Sequence, residues 1–146
     1  MRFWNRVKNW LPAIAWACLI SSLSTDTFSG EHTSVFIIPV LRWMFPHASA
    51  ETLEWMHAVI RKMAHLTEYF ILSIFLLHGL RGKDSEWKLR LAIWAVVIAG
   101  GYAALDEFHQ SFVPSRGPSV WDVLLDTTGA AVAQIILWLW YLAQRE

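Results

Sequence analysis

Cysteine is almost absent: Cys18 stands alone in 146 residues, inside an apolar run. An intrachain disulfide is therefore impossible, and a thiolate-based zinc site is not expected. Charge is scarce at 16% of residues and carries no net sign, since twelve Lys+Arg balance twelve Asp+Glu. That balance leaves no basic footprint for nucleic acid, which is set aside as a partner. Also missing are G-x-S-x-G, H-E-x-x-H and a glycine-rich phosphate loop, so no ready-made nucleophile, zinc helix or phosphate cradle is present. No internal repeat or low-complexity tract is found, and no cofactor is expected.

What the chain has instead is apolar surface: 55% of residues are hydrophobic and 14% aromatic, too apolar for an ordinary soluble domain of this size. Ten are Trp. Indole rings prefer the headgroup level of a bilayer, and Trp4, Trp10, Trp43, Trp55, Trp87, Trp121, Trp138 and Trp140 lie near the ends of apolar runs, as interface anchors would.

The runs predict an all-α integral membrane bundle, one domain over 1–146, of four short transmembrane helices with a polar loop between the third and fourth. The helices are expected at about 10–24, 57–80, 89–106 and 120–143. The first follows a basic, aromatic stretch like that of a signal peptide, but no A-x-A-like cleavage site follows, so it reads as a retained helix. Residues 26–59, broken by Pro39, Arg42 and Pro46, read as an interfacial loop. Arg2, Arg6 and Lys8, the connection with Arg81, Lys83, Lys88 and Arg90, and Arg145 all fall on one side if both termini are cytoplasmic. Arg42, Arg61, Lys62 and Arg116 fall on the other.

Polar residues gather at that other side. On the second helix Arg61, His65 and Glu68 lie within an arc of about 60°, with Lys62 and Tyr69 at its edges. An ionised group deep in a bilayer costs about 2.5–3.5 kcal/mol, so this face should turn inward, as a structural hydrogen-bonded pair of His65 and Glu68 or as a functional site. The third helix ends in LDEFHQSFVPSRGPS, where Asp106 and Gln110 share a face at i, i+4 and Pro114 and Pro118 shape the turn. Asp106, Glu107, His109, Gln110, Ser115 and Arg116 form either a polar loop dipping back to the bundle or an interfacial turn anchored by Phe108 and Phe112. On the fourth helix Asp122 and Asp126 lie about 40° apart, and Gly129 and Ala133 continue their stripe. Small residues there would let the helix backbone approach the second and third helices closely.

Taken in order, Lys62, His65, Glu68 and Tyr69 (K-x-x-H-x-x-E-Y), Asp106 to Arg116 (D-E-x-x-Q-x-F-x-P-x-R) and Asp122, Asp126 and Gly129 (D-x-x-x-[ND]-x-x-G) resemble the VanZ-like membrane protein family, from about residue 10 to residue 143. The chain departs from the family pattern at Asp126, where many members carry Asn, and at Ala133, where many repeat the Gly. The resemblance implies a multi-pass protein of the bacterial inner membrane, and through the family's founding member a link to the cell envelope and teicoplanin-type susceptibility.

Beside a non-enzymatic, envelope-altering protein whose paired polar network holds the bundle together while its outer loops meet a ligand or a partner protein, three kinds of function fit these residues. One is a site on the extracytoplasmic side for a lipid, a lipid-linked headgroup or a glycopeptide ligand, bound by Lys62, Tyr69, Gln110, Arg116, Asp122 and Asp126, with Arg61 as a further base; forked Arg contacts suit phosphate oxygens. Another is a membrane-embedded enzyme using His65, Glu68, Asp106 and Glu107 as acid and base groups. A third is a proton-coupled carrier. Carboxylates and histidines there could ligate a divalent ion, but His65 and His109 lack diagnostic spacing and Lys62 and Arg116 compete for the same oxygens, so no metal is expected.

Overall fold

In the computed structural model, residues 2–25, 30–82, 86–112 and 119–145 are described, with side chains left out for residues 2–6 and Glu31. They form helices α1 (Arg2–Leu23), α2 (Gly30–Met44), α3 (Ala50–Arg81), α4 (Leu89–Gln110) and α5 (Val120–Ala143), with no strand among the described residues. Three of these, α3, α4 and α5, are long and apolar enough to cross a membrane. The expected fourth span, α1, is not among them, although it is 22 residues long. Its helix starts at Arg2, eight residues before the expected start, and so includes Arg2, Arg6 and Lys8, which dilute its apolar run.

The expected loop over 26–59 is corrected by the structure: it holds α2, and α3 begins at Ala50. Pro39 inside α2 costs a helix about 3 kcal/mol when it stands alone. Tertiary packing offsets that here, because α2 lies antiparallel along the first half of α3. Thr33 Oγ1 meets His57 Nε2 at 3.1 Å, Gly30 lies against the Arg61 guanidinium, and Leu41 and Leu53 are buried. Ser49 caps α3, its Oγ accepting from the Thr52 amide at 3.2 Å. At 32 residues α3 is about 48 Å long, well beyond the roughly 30 Å of hydrocarbon, so its charged beginning extends past the apolar span.

α3 is the central helix and packs against the other four. Large side chains of α3, among them Tyr69, Leu72, Leu76 and Leu77, are buried with a seam of Ala92, Ala95, Ala99 and Ala103 on α4 and with Ala130 and Ala133 on α5. Lipid tails are as apolar as leucine, so helices in a membrane gain by close contact rather than by leaving water, and small residues permit it. Gly129 is the tightest instance: an added Cβ would collide with the backbone carbonyl of Leu66 on α3. Further along, Gln134 Nε2 donates to the Ser73 carbonyl at 3.0 Å and to Ser73 Oγ at 2.8 Å. α1 is tied in by Trp16, whose Nε1 donates to the Glu68 carbonyl at 2.9 Å, and by Tyr102 of α4, whose hydroxyl donates to the Ala17 carbonyl at 2.7 Å.

A candidate polar site at one end of the bundle

The end of α1, the end of α4 and the start of α5 come together around the middle of α3. Asp106 Oδ2 accepts from Ser24 Oγ at 2.7 Å and from Gln110 Nε2 at 2.8 Å, in a buried cluster joining α1 to α4. The i, i+4 spacing of Asp106 and Gln110 makes one of those bonds local. It exists because α4 runs one turn past the expected end, to Gln110. Glu107 Oε2 accepts from the Ser119 amide at 2.8 Å, placing a carboxylate at the N-terminus of α5, where the helix dipole favours it.

Between α3 and α5, Lys62 Nζ pairs with Asp122 Oδ1, and His65 Nδ1 lies 4.0 Å from Asp126 Oδ1, too far for a hydrogen bond. Asp126 is fully buried. Tyr69 is also fully buried, its ring centroid 6.4 Å from that of Tyr102, and its hydroxyl has no hydrogen-bond partner among the described residues. Of the sequence candidates, Lys62, His65, Glu68, Tyr69, Asp106, Glu107, Gln110, Asp122 and Asp126 therefore all fall at this end. Arg116, with Pro114 and Ser115, lies outside the described residues. Among the described residues no three His, Cys, Asp or Glu side chains converge to hold a metal ion.

The structure divides the charged face of α3. Lys62 points to α5, while Arg61 borders a pocket of about 170 Å³ between α1, α2 and α3, together with Ser24, Thr33, His65 and Glu68. Arg61 is paired with no carboxylate among the described residues. His65 stands between the two regions, lining the pocket with its ring while its Nδ1 faces Asp126. Ser24, Thr33 and His57 were missed by sequence reasoning. Ser24 is only the last residue of the expected first helix, with no local signal of a partner, and Thr33 and His57 become neighbours only because α2 folds back on α3.

A family model described as VanZ/LLP1 matches residues 9–141. The chain belongs to the VanZ/LLP1 family. No curated protein and no solved structure matches it. In this VanZ/LLP1 protein the matched stretch runs from within α1 to within α5, so the pocket and both buried clusters lie wholly inside it.

Proposed function

We propose that this VanZ/LLP1 protein binds a phosphate-bearing lipid headgroup at the extracytoplasmic face of the bacterial inner membrane, in the pocket between α1, α2 and α3. The observation that carries the reading is Arg61. It borders a small pocket with Ser24, Thr33, His65 and Glu68, and no described carboxylate is paired with it. A guanidinium fork suits phosphate oxygens, whereas the Ser24 hydroxyl is given to Asp106 and Thr33 Oγ1 to His57, so the base carries the contact. Lys62, the other base on this face, is already taken by Asp122 and serves the α3 to α5 contact. The buried Asp106 and Asp126 clusters then act behind the pocket, holding the helices that shape it. In this reading the protein acts in the cell envelope, the compartment to which the family resemblance ties teicoplanin-type susceptibility.

Arg61→Ala is expected to weaken retention of phosphatidylglycerol by the purified protein about thirtyfold, the equivalent of about 2 kcal/mol for hydrogen bonds to a charged group. Arg61→Lys, which keeps charge but loses the fork, should fall between. Native mass spectrometry of the lipid adduct measures this, and equal retention in all three proteins would overturn the reading.

The same reading makes α1 a fourth span, with both termini cytoplasmic and the pocket outside, as the Lys and Arg distribution favours. In a Cys18→Ser background, Ser119→Cys should react with an impermeant maleimide added to intact cells. Gln144→Cys should react only after permeabilisation, and the reverse pattern would invert the topology.

A further inference from the structure

The pocket does not end at Glu68. On the outer side of α3 it adjoins a groove of about 440 Å³ between α1 and α3, and the two spaces share Leu23, Ile60, Ala64 and Glu68 as walls. The rest of the groove is apolar, formed by Trp16, Leu19, Met63 and Ile71, with Thr67. The Thr67 hydroxyl is spent on its own helix, donating to the Met63 carbonyl at 2.7 Å. Trp16 is fixed at the inner end, its Nε1 on the Glu68 carbonyl and its ring edge-on to Phe75 at 6.0 Å. From Ile60 to Ile71 the helix rises about 16 Å. That is close to half the roughly 30 Å hydrocarbon core, the depth of one leaflet.

We infer that pocket and groove form one site for a phospholipid of the outer leaflet, which enters sideways between α1 and α3 and lays an acyl chain along Trp16, Leu19, Met63 and Ile71. The inference rests on the headgroup reading above and names the class of molecule that carries the headgroup. Charge sets the direction of the lipid. Among the described residues Arg61 is the one Lys or Arg bordering the two spaces; it stands at the end of α3 nearest the charged extension, about 10 Å along the helix from Glu68. The phosphate sits at the Arg61 end, away from Glu68, and the uncharged part of the lipid passes Ala64 into the groove. Ala64 leaves the passage open because it is the smallest of the shared walls. Chain and headgroup then bind as linked pieces, each raising the effective concentration of the other.

The test uses the full chain in detergent, with dioleoylphosphatidylglycerol retention read by native mass spectrometry and sn-glycerol 1-phosphate binding read by calorimetry. Ala64→Phe closes the passage, and Thr67→Trp fills the groove three residues further on; both positions are exposed, so neither change enters the core. Each variant should retain about tenfold less lipid than wild type or Ala64→Ser, a loss of about 1.4 kcal/mol, while glycerol phosphate binding stays unchanged. If both bulky variants hold lipid as wild type does, the groove is not the chain site. If they lose glycerol phosphate as well as lipid, the defect lies in the pocket and the groove inference is equally overturned. In either case, continued loss of lipid by Arg61→Ala leaves the headgroup reading standing; lipid retained by Arg61→Ala removes both.

Discussion

Gly129→Val is expected to leave little folded protein in the membrane. At this position the α5 backbone rests on the α3 backbone, and a Cβ would collide with the Leu66 carbonyl oxygen, with its carbon at 3.1 Å and the Leu66 Cα at 3.2 Å. These are backbone atoms, so no side-chain rotation relieves the clash and the two helices must separate. Separation also breaks the Lys62 to Asp122 pair on one side of the contact and the Gln134 bonds to Ser73 on the other. Overpacking of this kind costs about 3 kcal/mol, against total stabilities of roughly 5–15 kcal/mol. A loss of that size lowers the folded to unfolded ratio by about two orders of magnitude. The control is Gly101→Ala, whose new Cβ meets nothing within 4 Å and which should gain about 1 kcal/mol from helix propensity alone. Membrane abundance and thermal unfolding in detergent measure both, and equal abundance of the two variants would show that α3 and α5 do not meet at Gly129.

Asp106→Leu should be nearly as damaging for a different reason. The carboxylate is the acceptor for both the Ser24 hydroxyl and the Gln110 amide, all three residues being buried. Leucine fills much the same space but accepts nothing, and each buried donor left without a partner costs about 1–3 kcal/mol. The combined loss of about 3 kcal/mol would fall on the junction of α1 and α4, freeing the end of α1 that walls the pocket. Asp106→Asn keeps an acceptor oxygen and should cost about 1 kcal/mol. Ser24→Ala in the Asp106→Leu background should then recover about 1 kcal/mol, since it removes a buried donor that has lost its acceptor. Unfolding midpoints of the four proteins decide this, and full additivity of the Ser24 and Asp106 changes would mean that the two side chains do not act together.

These two positions also mark how far the sequence can be read. α5 runs from Val120 to Ala143, as its apolar run predicts, and the stripe of Asp122, Asp126 and Gly129 does face α3. The Asp106 to Gln110 bond follows from i, i+4 spacing on one helix. The other half of that cluster, Ser24, stands 82 residues away, and no local pattern pairs it with Asp106. Helix α2 escaped for a related reason. Pro39 and Arg42 are breaking signals when a segment is judged alone, and only the buried contact with α3 outweighs them. With α2 unread, Thr33 and His57 had no reason to be paired, and the pocket beside Arg61 had no third wall.

Membrane character, the helical class, α4 and α5, the family and the gathering of polar residues at one end all follow from quantities that are local in the chain. Hydropathy and the 3.6-residue period need no knowledge of what lies opposite. Which base meets which carboxylate is another matter. Arg61 and Lys62 are adjacent and chemically alike in sequence, yet one borders a pocket and the other pairs with Asp122, because neighbouring residues on a helix point about 100° apart. The rotation of α3 that settles the choice comes from its contacts with α2 and α5, above all the close approach at Gly129.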